Sequence, residues 1–195
     1  MRLTERAHEI LTVHLSLGDC AIDATTGNGH DAIHIATLIG EGGHLIGIDL
    51  QESAIKATHD RLKDAKTLCQ IELIEGNHAE VLTGLKSTQS GEIKAVVFNL
   101  GYLPGSDKRI QTTPETTCAA LETSKALLAP NGILLVTAYR GHAGGEAEAI
   151  EVSQWMQSLE SNEWRVEVHE PEVVTQSVPP ILWVAQKIFN LSAST

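Results

Sequence analysis

Apolar residues recur along the chain with two alternating periods. Short runs rich in β-branched residues, at 20–24, 44–49, 70–74, 94–99 and 132–139, have the character of buried strands. Between them, 31–39, 52–65, 79–85, 114–128 and 146–159 carry the 3.6-residue spacing of amphipathic helices. The chain opens with Leu3, Ala7, Ile10, Leu11 and Leu15 at helical spacing, so residues 1–18 are expected to pack as a helix on the core. Near the end, 165–169 and 181–189 are predicted strands with no helix between them. Pro171, Pro179 and Pro180 punctuate the connection, which implies an antiparallel pair at the sheet edge. Strand–helix alternation predicts an α/β fold of Rossmann-like type: seven strands, mostly parallel with the last antiparallel, and helices on both faces. No internal repeat or linker interrupts the pattern, so residues 1–195 are expected to form one domain.

The first predicted strand ends at Asp23 and runs through Ala24, Thr25, Thr26, Gly27, Asn28 and Gly29 into His30 and Asp31. A strand that turns through two glycines into a helix cradles ligands at the carboxyl edge of an open sheet. The dinucleotide pattern is incomplete, because Ala32 stands where its third glycine would be. Asp23 discriminates further: a pyrophosphate is disfavoured beside a carboxylate, whereas S-adenosylmethionine presents a cationic amino group and a sulfonium. The second strand ends in another acid, Asp49, followed by Leu50 and Gln51; a carboxylate there can accept both hydroxyls of a ribose. After the third strand come Asn77 and His78, able to bond and to stack on an adenine. Singly, each has a blander reading: the glycine turn as a packing device, Asp49 as a helix cap, His78 as a neighbour of a cap. Their order at the ends of successive strands favours a nucleoside cofactor.

The fourth strand ends Asn99, Leu100, Gly101, Tyr102, Leu103, Pro104, followed by Asp107, Lys108 and Arg109. Methyl transfer from a sulfonium is an in-line displacement, so catalysis is largely the aiming of a lone pair. Asn99 and neighbouring backbone carbonyls can accept N–H bonds from an amine, and Tyr102 can stack on a base. Asp107 is a candidate base, and Lys108 and Arg109 are candidate phosphate contacts, although the three also fit a plain solvated turn. Beyond the fifth strand, Arg140 and His142 lie in a glycine-rich loop that opens a helix. His142 is a candidate proton acceptor or substrate contact, with a capping role equally open.

Charge narrows the partners. With 14 basic and 25 acidic residues the formal net charge is −11, which excludes binding of nucleic acid or anionic membranes by bulk charge alone. No apolar run approaches the roughly 18 residues of a membrane span. Cys20, Cys69 and Cys118 lack metal-ligand spacing. In a chain without a secretory signal they predict reduced, buried thiols, a cytoplasmic protein and no metal site.

The segment 98–105 resembles the Asn-Pro-Pro-Tyr loop of amino-methylating enzymes, with Leu100 and Gly101 in place of the prolines. Together with 23–31, 47–51, Asp107, Lys108 and 139–146, it is similar to the small bacterial and plastid proteins long labelled rRNA methylases. Their members act as tRNA methyltransferases on 5-aminomethyl-(2-thio)uridine at the wobble position. The resemblance implies a class I methyltransferase fold, S-adenosylmethionine as cofactor, the anticodon loop of tRNA as partner, a homodimer, and a bacterial cytosolic or plastid stromal setting. It further implies cofactor contacts at Asp23, Thr25, Gly27, Asn28, Gly29, His30, Asp31, Asp49, Leu50, Gln51, Asn77, His78, Asn99 and Gly101. Catalytic roles fall on Asn99, Tyr102, Asp107 and His142, and substrate contacts on Tyr102, Lys108, Arg109 and Arg140. A small-molecule or protein amine, an rRNA base, and a cofactor-binding subunit without chemistry remain alternatives.

Overall fold

A computed structural model describes residues 2–103, 105, 110–159, 163–171 and 178–188. Asp107, Lys108 and Arg109 therefore lie outside the described residues, as does Pro104. The elements run α1 (Leu3–His14), β1 (Cys20–Asp23), α2 (His30–Ile39), β2 (His44–Asp49), α3 (Glu52–Asp64), β3 (Gln70–Glu75) and α4 (His78–Gln89). They continue with β4 (Ile93–Leu100), α5 (Pro114–Leu127), β5 (Leu128–Ala138), α6 (Gly145–Gln157), β6 (Trp164–His169) and β7 (Ile181–Lys187).

Seven strands form one sheet in the order β3-β2-β1-β4-β5-β7-β6. The five strands from β3 through β5 pair in parallel, and β7 runs antiparallel to both β5 and β6. The parallel core is the one anticipated from the alternation of periods, and the whole sheet is the class I methyltransferase architecture that the family resemblance implies. Successive residues face opposite sides of the pleat, which sorts the core into two layers. Ile22, Val96, Phe98, Leu134 and Val136 meet α4, α5 and α6 on one face. Ala21, Ala95, Val97, Ile133 and Leu135 meet α1, α2 and α3 on the other. The N-terminal helix packs through the expected side, with Leu3, Ala7, Ile10, Leu11 and Leu15 all buried.

Four expectations need correction. β3 is not a buried strand: it is an edge strand, and Gln70, Ile71, Glu72 and Glu75 are exposed. α4 continues past Leu85 to Gln89, because its last turn is polar and lies open to solvent, where apolar spacing gives no signal. β5 starts directly at the end of α5, four residues before the predicted strand, and shifts register against β4 between Ile93 and Ala95. Gly132 permits that crossing, since a Cβ there would come within 2.9 Å of Ala129 O and 3.0 Å of Ile93 O. Of the three thiols only Cys69 is buried; Cys20 and Cys118 are half-buried, and all three are free.

Candidate active site

The strand order reverses between β1 and β4, and at such a switch point the carboxyl ends of the strands open a crevice. A cavity of about 700 Å³ lies there, within the usual range for small-molecule sites. Its wall includes Thr25, Gly27, Asn28, His30, Asp31, Asp49, Leu50, Gln51, Asn77, His78, Asn99, Gly101, Tyr102, Arg140 and His142, so most of the sequence-derived candidates converge.

The glycine turn is pinned from both sides. Ala24 N–H donates to Val97 O at 2.8 Å, and Thr26 N–H donates to Ile48 O at 2.9 Å. Gly27 N–H donates to Asp49 Oδ2 at 2.9 Å, while Gln51 N–H donates to Asp49 Oδ1 at 3.0 Å. Asp49 thus faces the cavity with one lone-pair direction of each oxygen already used. Burial pushes its carboxyl above the usual range, against the pull of these backbone donors. Gly29, at φ +77°, packs so tightly that a Cβ would meet the Thr58 backbone at 2.9 Å.

Asp23 sits deeper than expected. It is fully buried and is not among the residues of the cavity wall. Its Oδ1 accepts Thr25 N–H at 3.3 Å, and its Oδ2 has no hydrogen-bond partner among the described residues. Burial, reinforced by the neighbouring Asp31 and Asp49 charges, drives its carboxyl well above the usual range. Of the two acids that flank the glycine turn, the one that reaches the wall is Asp31. One oxygen is 2.6 Å from His8 Nε2, and the other accepts from Asn99 Nδ2 at 2.6 Å. Burial alone would raise Asp31, but the bonds from His8 and Asn99 outweigh it and hold the carboxyl below the usual range. His8 and Thr4, both on α1, line the same cavity, and neither carried a motif. A histidine at an ordinary helix position becomes a pocket residue only through tertiary packing.

On the far wall, Asn77 caps α4 by accepting Ala79 N–H at 2.9 Å. His78 is buried, edge-on to Phe98 at 5.6 Å between ring centroids, so its ring is turned inward. Burial pushes its pKa down to about 4.

At the mouth, Asn99 N–H donates to Thr25 Oγ1 at 2.6 Å, which makes Thr25 a strut between the first and fourth strands. Gly101 N–H donates to Thr112 Oγ1 at 2.9 Å, and Thr112 N–H returns a bond to Gly101 O at 3.0 Å. The Thr112 hydroxyl in turn donates to Glu148 Oε2 at 2.7 Å, and Thr117 donates to Glu148 Oε1 at 2.6 Å. Glu148 is buried on α6 and was not foreseen, since an acid in a first helical turn signals only the helix dipole. Tyr102 pairs edge-on with His142 at 5.6 Å. His142 Nδ1 lies 3.1 Å from Ala143 O, so Nδ1 donates, and in the neutral ring Nε2 is then an acceptor; Nε2 is buried and has no hydrogen-bond partner among the described residues. Arg140 is engaged by the fold, donating from Nε to Pro179 O at 2.9 Å and lying 3.6 Å from Glu146.

Residues 45–186 match the family model described as "Putative rRNA methylase". The chain belongs to that family. A member of the same description from Clostridium thermocellum superposes with a TM-score of 0.88 at 33% identity, covering 96% of this chain and 98% of that one. A "putative methyltransferase" from Streptococcus mutans, solved in complex with SAH, gives 0.83 at 28% identity over 96% and 99% of the two chains. A curated relative, "tRNA (mnm(5)s(2)U34)-methyltransferase, chloroplastic" of Arabidopsis thaliana, is 32% identical over 169 residues, 84% of this chain. The chain spans 62% of that relative's length.

Proposed function

We propose that the protein is an S-adenosylmethionine-dependent N-methyltransferase that modifies the amine of 5-aminomethyl-(2-thio)uridine at position 34 of tRNA. The observation that carries this reading is the Asn99–Asp31 bond at the cavity wall, which turns the amide oxygen of Asn99 to the side where an amine could approach. The curated Arabidopsis relative supports the choice of nucleoside.

The donor set suits the cofactor. Asp49 keeps a free lone-pair direction on each oxygen for a ribose diol, with Leu50 and Gln51 beside it. Asn77 and the rim of His78 would border the adenine. Gly27, Asn28, Gly29 and His30, at the N-terminal end of α2, would take the carboxylate end of the methionine part, and Asp31 would face its ammonium. Asp23, beneath the turn, would act through that turn. When bound, the cofactor supplies an electrophilic methyl group.

The remaining work falls to the chain itself. An alkylamine titrates near 10.4, so baring its lone pair at neutral pH costs roughly 4 to 5 kcal/mol. Asn99 Oδ1 would accept an N–H of the amine and aim the lone pair. The neutral His142 ring, with Nδ1 turned to Ala143 O and Nε2 beside Gly101, would take the displaced proton at Nε2. Tyr102 would stack on a splayed base, as single-stranded loops are read. Asp107, Lys108 and Arg109 remain proposed base and phosphate contacts. We further propose that residues 1–195 act as one domain, that two copies work together, and that the setting is a bacterial cytosol or plastid stroma. The net charge of −11 favours a second reading, a small-molecule or protein amine.

The deciding experiment is mass spectrometry of nucleosides from tRNA incubated with the protein and methyl-labelled cofactor, using tRNA from cells lacking the enzyme. A gain of one methylene mass confined to the aminomethyl wobble uridine is expected. No gain, with cofactor binding measured separately, would turn the assignment to a non-RNA acceptor. Light scattering tests the dimer, which a single-chain mass would refute.

A further inference from the structure

His8 stands on α1, far in sequence from the strands that build the site, yet its Nε2 lies 2.6 Å from Asp31 Oδ1. The other oxygen of Asp31 takes Asn99 Nδ2 at 2.6 Å. A carboxylate offers acceptors only, so the two contacts decide orientation: His8 Nε2 carries the hydrogen, and the Asn99 amide turns its N–H₂ towards Asp31. The Asn99 backbone N–H is already committed to Thr25. Its Oδ1 is thereby the end left for the cavity. That matters chemically, because the oxygen accepts an N–H of an incoming amine, whereas the N–H₂ end would compete for its lone pair. His8 is itself fixed, its ring stacked on His34 with centroids 4.0 Å apart and planes 7° from parallel. His34 Nε2 also lies 3.1 Å from His8 O, tying α2 to α1 at this point.

We propose that His8 is a positioning residue of the transfer site, acting through Asp31 to keep the oxygen of the Asn99 amide, and not its nitrogen, turned towards the acceptor amine. The inference deepens the methyltransferase reading and rests on it. The first helix is then part of the active site's orienting machinery as well as a cover for the sheet.

The test compares wild type with H8A, H8N and H8Q by three readouts. Calorimetry with S-adenosylhomocysteine reports the cofactor site, and steady-state transfer to tRNA separates kcat from KM. The ¹H–¹⁵N signals of the Asn99 side-chain amide, assigned by their loss in N99A, report its orientation directly. In H8A and in H8N, too short to reach Asp31, kcat falls at least about tenfold while KM and cofactor affinity stay within about twofold. The Asn99 amide signals shift in both. H8Q, whose Nε2 can still donate to Asp31, recovers kcat to within about threefold and returns the signals. Wild-type kcat in H8A and H8N, a loss carried by KM, or an H8Q as slow as H8A would each overturn the proposal. Failure of the wild type to bind S-adenosylhomocysteine strikes the methyltransferase reading instead. In that event an Asn99 signal unmoved in the His8 variants still overturns the relay.

Discussion

Replacing Glu148 by alanine removes an acceptor shared by two threonine hydroxyls, Thr112 at 2.7 Å and Thr117 at 2.6 Å, from a site only 2% exposed. Leaving a buried hydroxyl without its acceptor costs about 1–3 kcal/mol for each of the two, and relief of the acid's own desolvation offsets part of the loss. A net cost of about 2–4 kcal/mol follows, or a fall in Tm of roughly 4–16 °C for a chain of this size. Glu148→Gln keeps the shape but turns an N–H₂ towards one of the hydroxyls, and costs about 1–2 kcal/mol. The effect does not stop at stability. Thr112 Oγ1 also accepts Gly101 N–H at 2.9 Å, so loosening it frees the loop that follows Asn99. Transfer should fall at least about tenfold in the glutamine variant, with S-adenosylhomocysteine affinity within about twofold of wild type. Differential scanning calorimetry, titration calorimetry and a transfer assay on one preparation read all three quantities. A Glu148→Gln protein with wild-type Tm and wild-type transfer would refute the strut, and so would a loss confined to cofactor affinity.

Asp49→Ala should abolish cofactor binding in a calorimeter; unchanged affinity would remove Asp49 from the ribose site. Tyr102→Ala and His142→Ala should leave cofactor affinity nearly intact while transfer falls, and equal loss of both quantities would move these residues to the cofactor side. His78 offers a pH test. Burial holds it near 4 in the folded chain, below the ordinary value of 6.5, so between those values the unfolded chain binds the proton and the native chain does not. Its stability contribution is fully present above about pH 6.5 and falls away towards pH 4, by about 2–3 kcal/mol at pH 4.5. In urea titrations wild type should therefore lose about 2–3 kcal/mol relative to His78→Leu between pH 7 and pH 4.5, and parallel pH slopes would contradict the buried neutral ring.

Much of this was legible in the order of residues. Central strands are buried on both faces, so β1, β2, β4 and β5 appear as apolar runs, and the cavity residues follow from where those runs stop. β3 misled because an edge strand can be β-branched without being buried. Asp23 misled for a subtler reason: both Asp23 and Asp31 flank the glycine turn, and only the third dimension shows which carboxylate goes under the turn and which reaches the wall. His8 and Glu148 were invisible for the same cause. Each sits on a helix at an unremarked position, and its partners, Asp31 for one, Thr112 and Thr117 for the other, come from distant segments. Local pattern carries elements and loop ends; it does not carry which side chains of two helices meet.

The antiparallel strand β7 lies between β5 and β6, so the hydrogen-bonding edge of β5 is completed by Ile181–Lys187, the last strand in chain order. During translation β5 and α6 emerge first, and that edge waits on the order of seconds for its partner at ordinary elongation rates. Flanked by Leu134 and Val136 on one face and Ile133 and Leu135 on the other, it is an apolar template open to any strand within reach. A nascent chain of this protein should therefore engage holdase chaperones late, until the final strand is released. A frameshift or stop codon shortly before Ile181 should yield insoluble product, even though the whole cavity wall up to His142 has already been made.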